Sequence, residues 1–121
     1  MIHPITVLVY GTLKRGGWNH RWLGNATFLG EAETIDWYTL YAESGVPHLV
    51  RDEASYPVRG ELYLLDYATL LDLDELEGHP LEYRREQVPV RGPSGEELLA
   101  WIYFAGQPRG NRLRQGVFII D

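Results

Sequence analysis

Cysteine is absent from the 121 residues, which removes a disulfide framework, a thiolate nucleophile and a cysteine zinc site together. Any covalent chemistry must use another group. Positive charge is scarce: 11 Lys and Arg stand against 17 Asp and Glu, a formal net charge of −6 with a pI near 5.1. A nucleic-acid surface would need a local basic patch working against that field, and the adjacent basic pairs are only Lys14–Arg15 and Arg84–Arg85. No nucleic-acid partner is expected. Long apolar runs are missing too. Met1-Ile2-His3-Pro4 carries no basic segment and the apolar stretch after it ends within a handful of residues, so neither a signal peptide nor a membrane span is expected and the reading is a soluble cytoplasmic protein. There is no internal repeat, low-complexity segment or linker-like shift in composition. At 45% hydrophobic, residues 1–121 are long enough for one domain with its own core.

What is present is mostly strand pattern. Ile5 to Tyr10 is a continuous β-branched run, as in a strand covered on both faces. Trp18 to Leu23 has room for one helical turn after the glycines. Phe28 to Ile35 and Trp37 to Ala42 read as two strands, and His48 to Arg51 as a third after a Gly45-Val46-Pro47 turn. Val58 to Leu65 is a further strand in which Gly60 marks a bulge or a close backbone approach. A helix starts at Asp66, whose carboxylate can cap the first turn. It carries Tyr67, Leu70, Leu73 and Leu76 as its apolar stripe, and it stops at Gly78 and Pro80; Asp72 is a possible break within it. Tyr83 to Arg91 and Leu98 to Phe104 flank the turn Gly92-Pro93-Ser94-Gly95 as a hairpin. Five or more strands with one main helix indicate an α+β fold, a small mixed sheet curled into a barrel.

Two stretches carry chemistry. Tyr10-Gly11-Thr12-Leu13-Lys14-Arg15-Gly16-Gly17 takes a buried strand straight into a glycine turn, leaving backbone N–H groups without ladder partners and aimed at one small volume, where an anion can sit. Downstream, Glu77 stands beside Gly78 at the negative end of a helix, with Asp72, Asp74, Glu75 and Glu82 nearby. Both circumstances disfavour the carboxylate and raise its pKa, the direction a general base needs. The competing reading of Glu77 is a solvated surface charge, and local sequence leaves the two open.

Other residues have their own alternatives. Lys14 and Arg15 either add positive potential at a pocket mouth or are simply solvated. The glycines Gly11, Gly16 and Gly17 lack the lysine-serine/threonine pattern of a P-loop, so no nucleotide cofactor is expected. His3, His20, His48 and His79 have no ligand spacing, which argues against a metal. His79 either orients Glu77 or packs as a loop residue.

Taken together, Tyr10-Gly11-Thr12-Leu13-Lys14-Arg15-Gly16 with Asn19-His20-Arg21, then Gly60-Glu61-Leu62-Tyr63, then Leu73-Asp74-Glu75-Leu76-Glu77-Gly78 with Pro80, Tyr83 and Arg84, and finally Trp101-Ile102-Tyr103, resemble the gamma-glutamylcyclotransferase-like superfamily. The likeness is greatest to the gamma-glutamylamine cyclotransferase branch and its small bacterial relatives. The matches run in the family's order from residue 7 to about 104. The resemblance implies a small mixed β-barrel with flanking helices, no metal or other cofactor, and a pocket between the first loop and the carboxylate helix. It implies that Tyr10, Gly11, Thr12 and Leu13 bind the glutamyl part of a small gamma-glutamyl substrate, that Glu77 is the base, and that Tyr83 and Tyr103 line the pocket. The expected reaction is attack of the substrate's α-amine on its γ-carbonyl, releasing 5-oxoproline and an amine. A non-catalytic ligand-binding or regulatory module of the same fold is the alternative. Residues 107–121 match little in the family that can be transferred, and no role is assigned to them.

Overall fold

The computed structural model describes residues 5–120; the expectations that fall on Met1 to Pro4, His3 included, lie outside them. The described chain forms β1 (Ile5–Val9), a 3-10 turn (His20–Leu23), β2 (Thr27–Glu43), β3 (Val46–Val50), β4 (Tyr56–Leu65), α1 (Tyr67–Glu77), β5 (Tyr83–Arg91), β6 (Glu97–Ala105) and the short β7 (Asn111–Arg112). Strands run in the order β2-β4-β1-β6-β5, and β5 returns to β2 through Glu33↔Arg91 and Thr34↔Val90, closing a five-stranded barrel. Only β1 and β6 are parallel; every other pair is antiparallel. β3 and β7 extend the sheet from the far end of β2.

The apolar run of β1 is explained by two cores. Leu8 points into the barrel with Leu62, Val90, Ala100 and Ile102, while Val7 and Val9 point outward, where Leu70 and Leu73 of α1 cover them. Successive side chains leave a strand on opposite faces, so covering both faces asks for apolar residues at every position.

Three expectations are corrected. The strands anticipated on either side of Asp36 are one 17-residue strand, β2. Between Glu33 and Trp37 it carries two residues more than β4 does between Arg59 and Pro57, and this bulge lets the strand bend rather than end. Thr34 secures it: its hydroxyl donates to the Asp36 carbonyl at 2.7 Å and accepts from the Val58 N–H at 2.9 Å. Second, Val46 and Pro47 belong to β3, not to the turn. The turn is Ser44-Gly45, both with positive φ (53° and 77°), a two-residue hairpin loop between the paired Glu43 and Val46. Pro47 is tolerated because β3 is an edge strand. Third, α1 does not break at Asp72. Asp66 accepts from the Thr69 N–H at 2.8 Å, the helix continues to Glu77, and Gly78 ends it at φ 66°. Its packed face is shorter than the stripe suggested, since Leu70 and Leu73 are buried but Tyr67 is 62% exposed. The hairpin of β5 and β6 extends one residue beyond expectation at each end of β6, and Trp18 lies outside the 3-10 turn.

Candidate active site

The loop leaving β1 is held by its carbonyls. Gly11 O accepts from Lys14 N (3.0 Å), Thr12 O from Asn19 N (3.1 Å) and Leu13 O from His20 Nδ1 (2.9 Å), while Asn19 Nδ2 donates to Thr12 Oγ1 (3.0 Å). Among the described residues, the N–H groups of Gly11, Thr12 and Leu13 meet no acceptor. The loop thus turns its carbonyls into its own framework and keeps three adjacent donors free. Two glycines make this possible. A Cβ on Gly11 would lie 2.5 Å from Pro47 Cγ, and one on Gly17 would lie 2.1 Å from the Thr12 carbonyl oxygen. Gly60 on β4 is likewise a close approach, since a Cβ there would come within 2.3 Å of Val9 O.

Above this loop is a cavity that opens to solvent. Tyr10, Gly11, Thr12 and Leu13 form one wall, Val46 and Pro47 a second, and Glu77, Tyr83 and Tyr103 the third. The seven residues that the family resemblance marks, Tyr10, Gly11, Thr12, Leu13, Glu77, Tyr83 and Tyr103, therefore line one cavity. Val46 and Pro47 had been assigned to a turn, and sequence reasoning missed them as cavity walls; the clue available was that Ser44-Gly45 alone suffices for a hairpin loop.

Glu77, the last residue of α1, sits in the cavity wall without an arginine or lysine partner among the described residues. Its pKa is raised from 4.5 to about 7. The leading cause is burial, and the second is the charge of Glu82. The sequence argument had the direction right and the cause only in part, because it relied on the helix terminus and on Asp72, Asp74, Glu75 and Glu82 together. Asp74 is in fact committed elsewhere. It accepts from Arg85 Nε at 2.8 Å and Nη2 at 3.1 Å, a bidentate pair, and from the Tyr103 hydroxyl at 2.7 Å. Arg85 also lies 4.3 Å over the Trp101 ring. The nearby cation is used by Asp74, one helical turn away, and Glu77 is left desolvated and unpaired.

The tyrosines are fixed in turn. Tyr10 donates to the Tyr103 carbonyl at 2.7 Å, tying the start of the loop to β6. The Tyr83 hydroxyl is 2.5 Å from His48 Nδ1. Burial is the largest cause raising the pKa of Tyr10, Tyr83 and Tyr103, and the negative charge of Glu77 adds to it in all three. They remain neutral hydroxyls near neutral pH. His48 is itself buried, which pushes its pKa down, so its Nδ1 is suited to accept the Tyr83 proton.

The basic residues of the loop do not reach the cavity. Lys14 Nζ donates to the Phe118 carbonyl at 2.6 Å. Arg15 pairs with Glu61 (3.5 Å), its N–H donates to the same carboxylate at 2.9 Å, and its guanidinium lies 4.0 Å over Phe28. His79 accepts from the Arg85 N–H at 3.2 Å, a packing role rather than a partner for Glu77. Among the described residues no group of three or more His, Asp or Glu side chains is placed to hold a metal ion, and no helix is long and apolar enough to cross a membrane.

Known proteins share this architecture. A crystal structure of an AIG2-like protein from mouse superposes with a TM-score of 0.78 at 29% identity, covering 86% of this chain and 78% of that one. A Methanocaldococcus jannaschii protein provisionally named a gamma-glutamylcyclotransferase is 40% identical over 111 residues, 91% of this chain and 92% of its own. The Escherichia coli K12 gamma-glutamylcyclotransferase family protein YtfP is 36% identical over 102 residues, 84% and 83% of the two chains. The profile described as gamma-glutamyl cyclotransferase, AIG2-like, matches residues 7–118, from the first barrel strand to the C-terminal tail, and on that match the chain belongs to the AIG2-like gamma-glutamyl cyclotransferase family.

Proposed function

We propose that the protein cyclises a gamma-glutamyl amide, releasing 5-oxoproline and the corresponding amine. The observation that carries this reading is the pairing in one cavity of three free backbone donors, Gly11 to Leu13, with a desolvated, unpaired carboxyl at Glu77. A gamma-glutamyl compound brings its own nucleophile, the α-amine, so the absence of cysteine is no obstacle. The site has to hold amine and γ-carbonyl together and carry protons from the attacking nitrogen to the departing one. Well-oriented intramolecular attack reaches effective molarities of about 10⁵–10⁸ M, and a positioned base adds about 10²–10⁴-fold.

In this mechanism Glu77 takes a proton from the substrate ammonium, the freed nitrogen bonds to the γ-carbon, and the γ-carbon–nitrogen amide bond breaks. Glu77 passes that proton to the departing nitrogen, and the second proton, shed by the ring nitrogen once its bond to the γ-carbon has formed, ends on the same amine, which leaves as an ammonium, so the two protons lost by one nitrogen are those gained by the other. The N–H groups of Gly11, Thr12 and Leu13 bind the α-carboxylate or the developing oxyanion. Tyr10 braces the loop, while Tyr83, its proton directed at His48, offers oxygen lone pairs to the ammonium.

Incubation with a panel of gamma-glutamyl amines and dipeptides, followed by mass spectrometry for 5-oxoproline, tests the reaction. Turnover that falls about 10²–10⁴-fold in Glu77→Gln supports the assignment. Binding without release of 5-oxoproline would make the protein a ligand-binding module, and full turnover in Glu77→Gln would eliminate the base.

A further inference from the structure

Glu61 is a buried acid that the proposed reaction does not use. Its Oε1 accepts from the Arg15 N–H and from the Tyr63 hydroxyl, each at 2.9 Å, and its Oε2 lies 3.5 Å from Arg15 Nε. The Arg15 guanidinium is covered by Phe28 at 4.0 Å, and the Phe28 ring packs on Tyr63 with 5.5 Å between centroids. Loop, β2 and β4 meet there. Sheet stability does not ask for this placement, because Glu31 of β2 is the register partner of Glu61 and two acids opposite one another destabilise a sheet. Lys14 shares a surface hollow with both acids, so the basic pair of the loop faces an acidic pair on the barrel wall.

The other bonds of the loop show what this contact adds. The carbonyls of Gly11, Thr12 and Leu13 are all taken by donors within residues 14–20, so those bonds set the loop's shape without joining it to the barrel. Tyr10 fastens the start of the loop to β6, and Arg15 fastens its far side to β4. Val9, where the loop leaves β1, is itself the partner of Glu61. Departure and return are thus held at one residue of the wall, with the three free donors between them. We propose that Glu61 is a positioning residue, whose carboxylate acts through the Arg15 N–H to fix where the donors of Gly11, Thr12 and Leu13 stand relative to Glu77. This inference rests on the cyclisation reading. Without the anchor the loop holds its binding position only part of the time, and apparent affinity falls by that fraction.

Three variants separate the anchor from its surroundings. Glu61→Ala removes the acceptor of the Arg15 N–H, Glu61→Gln keeps an oxygen in its place, and Arg15→Ala keeps the N–H while removing a guanidinium that is half exposed. Each is assayed for KM and kcat on the gamma-glutamyl compound that releases 5-oxoproline fastest, and 15N relaxation reads the backbone order of residues 11–13. Glu61→Ala should raise KM about tenfold, the effect of losing a hydrogen bond to a charged acceptor. Its kcat should stay within about twofold, since substrate that has drawn the loop into place meets an unchanged Glu77. Order at Gly11, Thr12 and Leu13 should fall in the same variant. Glu61→Gln should restore KM and loop order, and Arg15→Ala should shift KM less than about threefold, as for an exposed ion pair. A fall in kcat at unchanged KM, which is what loss of folded enzyme gives, overturns the role, and so does unaltered order at residues 11–13 in Glu61→Ala. If the parent releases no 5-oxoproline from any compound, the cyclisation reading fails and relaxation alone decides: order lost in Glu61→Ala and regained in Glu61→Gln upholds the anchor. Should Glu61→Ala not fold, the same substitution combined with Tyr63→Phe, which leaves no hydroxyl without its acceptor, takes its place.

Discussion

Replacing Glu77 by glutamine should stabilise the protein above neutral pH while lowering turnover about 10²–10⁴-fold. The folded state holds this carboxyl at about 7 against 4.5 for an exposed one, a difference worth about 3.5 kcal/mol at roughly 1.4 kcal/mol per pH unit. Because the folded pKa is raised, the native state binds the extra proton between pH 4.5 and 7. Stability is then full below 4.5 and declines as pH rises toward 7, with the whole penalty present above it. The side chain keeps some solvent contact through the cavity, so about 2–3 kcal/mol is the expected size. Glutamine has no charge to desolvate and loses that slope. Urea unfolding followed by tryptophan fluorescence at pH 5, 6, 7 and 8 reads the effect directly: the variant should exceed the parent by about 1 M in midpoint at pH 8, given typical slopes of about 1–3 kcal/mol/M, and converge with it near pH 4.5. Parallel curves across this range would show that Glu77 is not desolvated in the folded protein. The same ionisation sets the acid limb of kcat/KM near pH 7, since the base works only when deprotonated.

Three further outcomes follow from the same geometry. Glu82→Gln removes the second contributor to the Glu77 shift, so the acid limb should move to lower pH while staying above 4.5; a pH–rate profile checks it, and an upward move would contradict the charge argument. Asp74→Asn leaves Arg85, its side chain only 16% exposed, without a charged partner, and puts an NH2 donor where Oδ2 accepted from Arg85 Nη2, while Oδ1 can still accept from the Tyr103 hydroxyl. The expected loss is about 3 kcal/mol by urea unfolding, the lower range for breaking a buried pair. Gly17→Ala forces a methyl against the Thr12 carbonyl at 2.1 Å. A loss of about 1–3 kcal/mol should come with a larger rise in KM than fall in kcat, because the donor loop is displaced while Glu77 is untouched.

Much of the fold could be read locally. The cap at Asp66, the stop at Gly78, the β5–β6 hairpin and the doubly covered β1 are each specified by neighbours a few residues apart, and hydrogen bonding or side-chain alternation at that range does not depend on the rest of the chain. The errors arose where distant pairing overrode local signals. Asp36 looked like a strand end, but pairing with β4 absorbs it as a bulge. Pro47 looked like a turn, but an edge position lets a proline pair.

The site divides the same way. Its residue types and order were legible: a donor loop after the first strand, an acid at the end of the helix, and tyrosines on the last hairpin. Asp74 and Glu77 are one helical turn apart, both acidic and both near basic residues in sequence, and no local rule says which of them the arginine takes. The β5 strand settles it by bringing Arg85 to Asp74. Solvent exclusion around a carboxyl is the summed effect of every segment packed about it, contributed here by β1, β3, β5 and β6 from across the chain. For that reason the acid's identity and the direction of its pKa shift were in the sequence, and the burial that is the largest cause of that shift came only with the closed barrel.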